Sequence, residues 1–154
     1  MENTINSVSR SSLVLQVGNS GIVLCEIVRH LSPNTVNAIL KRLPIQNRVH
    51  KIGDNAVYIE TGLLLGSEKQ RTFFSRGDIG FMTSNSSLSF FVKDSNGLPM
   101  NPVGKVTSGL ELLKTIKPGE AMTLKKPELS IGSNNSWQYY KKCKVTTIWV
   151  IGLV

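Results

Sequence analysis

Cysteine and histidine are scarce in this chain. Two cysteines, Cys25 and Cys143, and two histidines, His30 and His50, occur in 154 residues. Two distant cysteines cannot build the dense disulfide scaffold of a small secreted domain. None of these four residues has a neighbour at the spacing of a metal site. We therefore expect structural, buried thiols, no bound metal and no cofactor.

Long apolar runs are absent as well. The longest, Ile148–Val154, has seven residues, whereas a membrane-spanning helix needs roughly 20. The first residues, Met1–Thr4, lack the basic region and apolar stretch of a secretory signal. These absences favour a cytoplasmic protein that has no membrane partner.

Acidic residues are outnumbered, which makes the chain basic. Eighteen Lys and Arg residues against ten Asp and Glu give a net charge of +8, and such a surface attracts anionic partners. One candidate partner is therefore nucleic acid or another polyanion, bound by basic residues interleaved with aromatic rings. The residues that fit this pattern are Lys125, Lys126, Trp137, Tyr139, Lys141 and Lys142. We favour the other interpretation of this segment, an edge strand protected by lysines.

Common catalytic motifs are also missing. No Gly-x-Ser-x-Gly elbow occurs, and Gly77–Gly80 lacks the Lys-Ser/Thr ending of a phosphate-binding loop. The aspartates Asp54, Asp78 and Asp94 stand at turns, where Asp is common because its side chain bonds nearby backbone. We therefore assign them to turn formation and not to acid–base chemistry.

What the sequence does contain is alternation of apolar and polar residues in many short segments. Leu13–Val17 and Ile22–Val28 flank a Gly-Asn-Ser-Gly turn, which predicts a β-hairpin. Further strands are predicted over Arg48–Ile52, Ala56–Thr61, Gln70–Phe74, Ile79–Thr83, Leu88–Val92, Val103–Val106 and Glu120–Leu124. The segment Lys93–Pro102 is predicted to be a loop because it holds Asn, Gly and two prolines. Gly62–Gly66 fits either a strand or a turn.

Two short helices interrupt the strands. Ser32 is predicted to cap the first, with Pro33 in its first turn and Pro44 ending it. Ser108 is predicted to cap the second, which ends before Pro118. The predicted fold is therefore mainly β, of the α+β sort, with about eight strands curled into a closed barrel. Residues 1–11 are expected to be a flexible arm and 12–154 a single domain, in which 126–154 form a C-terminal extension.

Several local strings resemble the cyclophilin-like superfamily in their order along the chain. Ser32–Val36 resembles the start of the first cyclophilin helix, and Ser89–Val92 resembles the strand that carries a Phe-Phe pair. Gly104–Glu111 resembles the Gly-Lys-Val stretch before the second helix. The combination of Gly77–Phe81 with these strings is most similar to a small, uncharacterised prokaryotic branch of the superfamily. The resemblance covers roughly residues 13 to 124.

The resemblance implies a ligand-binding face on one side of the barrel, and prolyl isomerisation as the activity of true cyclophilins. The family places its catalytic Arg where this chain has Lys51, and Lys is not equivalent to the planar fork of Arg. Phe91 matches the pocket phenylalanine, but the pocket Trp and His have no counterpart. By position, the ligand-binding residues are expected to be Lys51, Tyr58, Met82, Phe91 and Met100.

Three functions follow from these observations. The first is a cyclophilin-like module that binds a peptide or small molecule and lacks efficient isomerase activity, since function follows the site and not the fold. The second is a weak peptidyl-prolyl isomerase that uses Lys51 in place of Arg. The third is the polyanion-binding protein described above.

Overall fold

The computed structural model describes residues 9–127 of the 154-residue chain. Cys143 and four members of the predicted polyanion site, Trp137, Tyr139, Lys141 and Lys142, lie outside the described residues. Most of the predicted extension, 126–154, lies outside them as well.

Residues 9–127 contain ten strands and two α-helices. The strands are β1 (Arg10–Val17), β2 (Gly21–Val28), β3 (Ile45–Arg48), β4 (His50–Ile52), β5 (Ala56–Glu60), β6 (Arg71–Phe74), β7 (Asp78–Met82), β8 (Ser87–Phe91), β9 (Ser95–Ser108) and β10 (Ala121–Lys125). The helices are α1 (Pro33–Arg42) and α2 (Leu110–Thr115), and a 3-10 turn spans Arg29–Leu31. The prediction of a mainly β fold with two short helices is confirmed. Because β1 starts at Arg10, the last two residues of the predicted arm belong to a strand.

Nine of the strands form one antiparallel sheet in the order β3-β10-β1-β2-β9-β7-β8-β5-β4, and β6 pairs with β9 off this path. The hydrogen-bonded path begins at β3 and ends at β4, so backbone pairing does not close it and the predicted closed barrel is not confirmed. In the sequence only Val49 separates these two end strands. The side-chain amide of Asn47 on β3 donates to the Glu60 carbonyl on β5, 3.1 Å away.

One face of this sheet encloses the main core. Alternate residues of each strand enter it, such as Leu13 and Leu15 on β1 and Val57 and Ile59 on β5, all of them at most 1 % exposed. Helix α1 contributes Val36 and Ile39, and α2 contributes Leu113. Neighbouring residues on the same strands therefore face the opposite, outer side.

The predicted loop Lys93–Pro102 is wrong, because β9 starts at Ser95 and continues for 14 residues. The prolines that argued against a strand occupy irregular places in it. Pro102 lies opposite Gly80, where the β7–β9 register shifts, and the β6–β9 register shifts on the segment that includes Pro99. Proline is tolerated at bulges and edges because no ladder bond is lost there.

Both predicted capping residues need correction. Ser32 precedes α1, but its hydroxyl makes no cap bond, and the carboxylate of Glu68 accepts bonds from the Asn34 and Thr35 amides instead. Ser108 ends β9, and the residue before α2 is Gly109 in the left-handed region at φ 89°. Sequence neighbours alone could not reveal a cap supplied from 34 residues away.

Candidate ligand-binding face

A second apolar cluster lies outside the main core, on the outer face of the sheet. Its buried members are Ala56, Phe74, Met82, Phe91 and Met100, with the partly buried Ile52 packed against them. Three residues that the family resemblance places in a ligand site, Met82, Phe91 and Met100, are thus brought together.

Strand alternation explains why these residues leave the main core. On β8, Leu88 and Phe90 enter the core, so Ser89 and Phe91 face outward. On β7, Met82 faces the same side, and Gly80 lies opposite Ser89 in the pairing of β7 with β8. The outer face of these two strands therefore combines apolar side chains with a glycine and a serine.

A two-stranded flap covers this face. We use the name flap for β6 together with Ser95–Met100, which pair in a small sheet of their own. The ring of Phe74 stacks on Phe91 with centroids 4.9 Å apart and planes 2° from parallel. A Cβ on Gly80 would lie 3.1 Å from two carbons of the Phe74 ring, so the ring rests almost directly on the β7 backbone.

Polar contacts hold the flap in place. The Asp78 carboxylate accepts a bond from the Ser75 amide at 2.8 Å and one from the Arg71 guanidinium at 3.2 Å. That guanidinium also lies 4.9 Å above the Phe74 ring. The Asp94 carboxylate accepts the Arg76 amide at 2.7 Å. These bonds are the turn roles expected for Asp78 and Asp94.

Ser89 is the polar group that this face leaves unsatisfied. Its side chain is fully buried, and its hydroxyl has no hydrogen-bond partner within residues 9–127. The neighbouring outward serine, Ser87, donates to the Asn85 side chain at 2.6 Å. A buried hydroxyl without a partner is costly, so Ser89 is an unsatisfied hydrogen-bonding group enclosed by the residues of this face.

The two remaining predicted residues are not members of the apolar cluster, and only Tyr58 shares its face. Tyr58 is half-buried on the outer face, opposite Ser89 on β5–β8, and stacks on His50 with centroids 5.1 Å apart. Lys51 does not join this face: its neighbour Ile52 packs on the cluster, and Lys51 lines a cavity at the end of the sheet instead. The structure therefore separates the expected cation from the expected apolar floor.

Sequence reasoning missed Phe74, Gly80 and Ser89 as site residues. Alternation on β8 was sufficient to place Ser89 on the same side as Phe91. No local signal could indicate that Phe74 folds back over Gly80, because that contact depends on the flap.

The structure also provides observations on the other kinds of site considered above: a reactive cysteine, a metal site and a polyanion site. Cys25 is buried, as expected, and burial raises the pKa of its thiol to about 12, so it is not a nucleophile at neutral pH.

Between residues 9 and 127, no group of three or more His, Cys, Asp or Glu side chains could hold a metal ion, and no helix in that range is long and apolar enough to cross a membrane. Of the predicted polyanion site, Lys125 donates to the Gln16 side chain at 3.1 Å and Lys126 is exposed.

Comparison with known proteins defines the class. The model of the Cyclophilin-like family matches residues 11–125, most of the chain, so this protein belongs to the cyclophilin-like family. A search of curated proteins found no match.

Two solved structures have the same fold. The solution structure of the hypothetical protein AF2241 from Archaeoglobus fulgidus is 21 % identical, with a TM-score of 0.66, over 77 % of this chain and 95 % of its own. McbB, solved in complex with tryptophan, is 12 % identical, with a TM-score of 0.60, over 86 % of this chain. The match spans only 55 % of McbB's own length. At these identities the likeness concerns the fold alone.

Proposed function

We propose that this protein is a cyclophilin-like binding module that holds a ring-bearing side chain of a peptide or small ligand on its outer face. One observation carries the proposal: Phe74 already stacks on Phe91 at 4.9 Å in a nearly parallel arrangement. The outer face thus accommodates a flat ring, and in this structure the Phe74 ring of the flap occupies that position.

The surroundings of that ring support a ligand that combines apolar and polar groups. Met82 and Ala56 provide an apolar floor, Met100 of the flap packs against them, and Gly80 lets a ring approach the backbone closely. The unpartnered Ser89 hydroxyl adds one hydrogen-bonding group. Ligand pockets commonly combine apolar walls with a few placed polar groups in this way. McbB, which shares the fold, is described in complex with tryptophan, an amino acid with a flat ring.

The same geometry argues against efficient prolyl isomerisation. A catalyst must stabilise the twisted amide against a barrier of about 18–20 kcal/mol. Lys51, the residue that the resemblance places at the catalytic Arg, is not a member of the apolar cluster and lines the neighbouring cavity instead. The proposed module therefore binds without catalysing isomerisation.

Substitutions at three phenylalanines test the binding proposal. Binding of N-acetyl-prolinamide, N-acetyl-phenylalaninamide and tryptophan is measured by calorimetry for wild type, Phe74→Ala, Phe91→Ala and Phe73→Ala. We expect Phe74→Ala to bind at least one probe about tenfold more tightly than wild type, because the competing ring is gone. Phe91→Ala is expected to weaken binding of that probe about tenfold, through the loss of the stacking surface.

Phe73→Ala is the matched control, since Phe73 lies on the same strand but is 50 % exposed. It is expected to bind as wild type does. Urea unfolding of all variants separates loss of binding from loss of stability. If Phe74→Ala binds none of the three probes, or if Phe91→Ala loses stability and affinity in equal measure, the proposed face is wrong.

A further inference from the structure

A separate cavity of about 280 Å³ lies at the end of the sheet. Three parts of the chain surround it: the β4–β5 hairpin, the residues directly after β8, and helix α2. Its lining residues are Lys51, Gly53, Asp54, Ala56, Val57, Val92, Lys93, Leu113 and Lys114. These positions are far apart in the sequence, so only the folded chain brings them together.

Positive charge dominates the rim of this end cavity. Lys51, Lys93 and Lys114 each come from a different surrounding part, and Asp54 is the one acidic residue among the lining residues. Lys114 forms an ion pair with Glu111 at 3.7 Å. Within residues 9–127, the side-chain ammonium groups of Lys51 and Lys93 have neither an ion-pair nor a hydrogen-bond partner, although the Lys93 backbone amide donates to the Asn55 carbonyl at 3.3 Å. Two ammonium groups at one concave site are therefore available to an anion.

The base of the end cavity is apolar. Ala56, Val57, Val92 and Leu113 are all buried, at 7 % exposure or less, and Val57, Val92 and Leu113 belong to the main core. An anion bound to the lysines would thus have hydrocarbon on its other side. The volume lies just below the usual range of ligand pockets, about 300–1,000 Å³, and therefore suits a small ligand.

We propose that the end cavity binds a small organic anion, either a carboxylate or a phosphate ester. Its charged group contacts Lys51 and Lys93, and its short apolar part lies on Val92 and Leu113. Lysine ammonium groups act as point charges and suit either anion. This site differs from the outer face, because Phe91, Met82 and Met100 do not line it, although Ala56 belongs to both.

The test is a titration followed by NMR of the amide groups, at constant ionic strength. The probes are isovalerate, propyl phosphate and inorganic phosphate, and the last of these lacks an apolar part. We expect saturating shifts at Lys51, Val92, Lys93 and Lys114 with isovalerate or propyl phosphate, and the stronger of the two identifies the anion class. Inorganic phosphate is expected to bind at least about tenfold more weakly, because it buries no apolar surface.

Single charge removals locate the site. Lys51→Gln and Lys93→Gln are each expected to weaken binding of the preferred probe about tenfold, the usual effect of losing one charge-assisted bond. Lys117→Gln is the matched control, because Lys117 is exposed near Lys114 but does not line the cavity. Circular dichroism verifies that each variant is folded.

Three results would overturn the proposal: no saturating shifts with either apolar probe, equal binding of inorganic phosphate, or equal loss of affinity in Lys117→Gln. Phe91→Ala is titrated in parallel and is expected to bind these probes as wild type does. A failure of the outer-face proposal is thereby distinguished from a failure of this one.

Discussion

At the scale of single residues, the close approach of β2 and β9 explains why the Gly-Lys-Val string begins with glycine. The family resemblance identifies this string but gives no physical reason for it. Gly104 belongs to the Gly-Lys-Val string and pairs with Ile27 on β2. A Cβ at position 104 would overlap the Glu26 carbonyl oxygen and lie 2.7 Å from the Ile27 Cα. Both obstacles are backbone atoms, which cannot rotate away as a flexible side chain can. Glycine is needed here for space and not for its backbone angles.

Gly104→Ala should therefore destabilise the protein strongly. Overpacking of a rigid site costs about 1–3 kcal/mol and sometimes more, and we expect the upper end of that range. Urea unfolding measures the change in free energy. Gly66→Ala is the matched control, because a Cβ there meets nothing within 4 Å, and it should stay within about 0.5 kcal/mol of wild type. Similar values for the two variants would show that β2 and β9 can separate at little cost.

At the scale of elements, a polar network joins helix α1 to the extended chain before β6. The side chain of Asn101, which is fully buried, donates to the Thr35 hydroxyl at 2.9 Å and to the Gly66 carbonyl at 3.0 Å. Its oxygen accepts the Glu68 amide at 2.9 Å. The Glu68 carboxylate in turn accepts the Asn34 amide at 3.0 Å and the Thr35 amide at 2.9 Å. Helix, extended segment and β9 are thus fixed to one another through side chains.

The pKa of Glu68 reports on this network. Burial raises the pKa, but hydrogen bonds from the Asn34 amide, the Thr35 amide and the Thr35 hydroxyl, together with the Lys69 charge, outweigh burial and lower it below the ordinary value of 4.5. A lowered pKa in the folded state means that the ionised carboxylate stabilises the fold above the unfolded pKa. This stabilisation is lost as the pH falls through the folded-state pKa.

Glu68→Gln should therefore cost about 1 kcal/mol at neutral pH, the usual effect of losing a helix cap. The difference from wild type is expected to shrink as the pH falls below about 4.5. Thermal and urea unfolding between neutral and acid pH measure it. Glu60→Gln, at an exposed position on β5, is the control and should show little change. A Glu68→Gln effect that is independent of pH would mean that the charge of the cap does not matter.

At the scale of the whole molecule, local patterns were reliable where neighbours in the sequence decide the structure. Alternation predicted the first hairpin, which is β1 paired with β2, and the local string Ser89–Val92 pointed to Phe91, which lies on the outer face. Contacts between segments that are distant in the sequence could not be predicted from such local patterns. Glu68 replaces Ser32 as the cap of α1, and Phe74 folds onto Phe91. The face on which Lys51 lies depends on its register with Val57, which the string around it does not encode.

The positions of Phe74 and Lys51, which tertiary contacts determine, lead us to expect no prolyl isomerase activity. The protein should accelerate cis–trans isomerisation of an Ala-Pro peptide no more than background in a coupled assay. Two separate causes are involved: Phe74 covers the outer face, and Lys51 lies in the end cavity and not at that face.

Phe74→Ala removes the first cause only, so the isomerisation rate of this variant should also remain at background even if it binds a proline probe. The Arg71 guanidinium lies 4.9 Å above the Phe74 ring, but it is paired with Asp78 at 3.2 Å. A rate above background in Phe74→Ala that Arg71→Lys abolishes would contradict this account and assign the donor to Arg71.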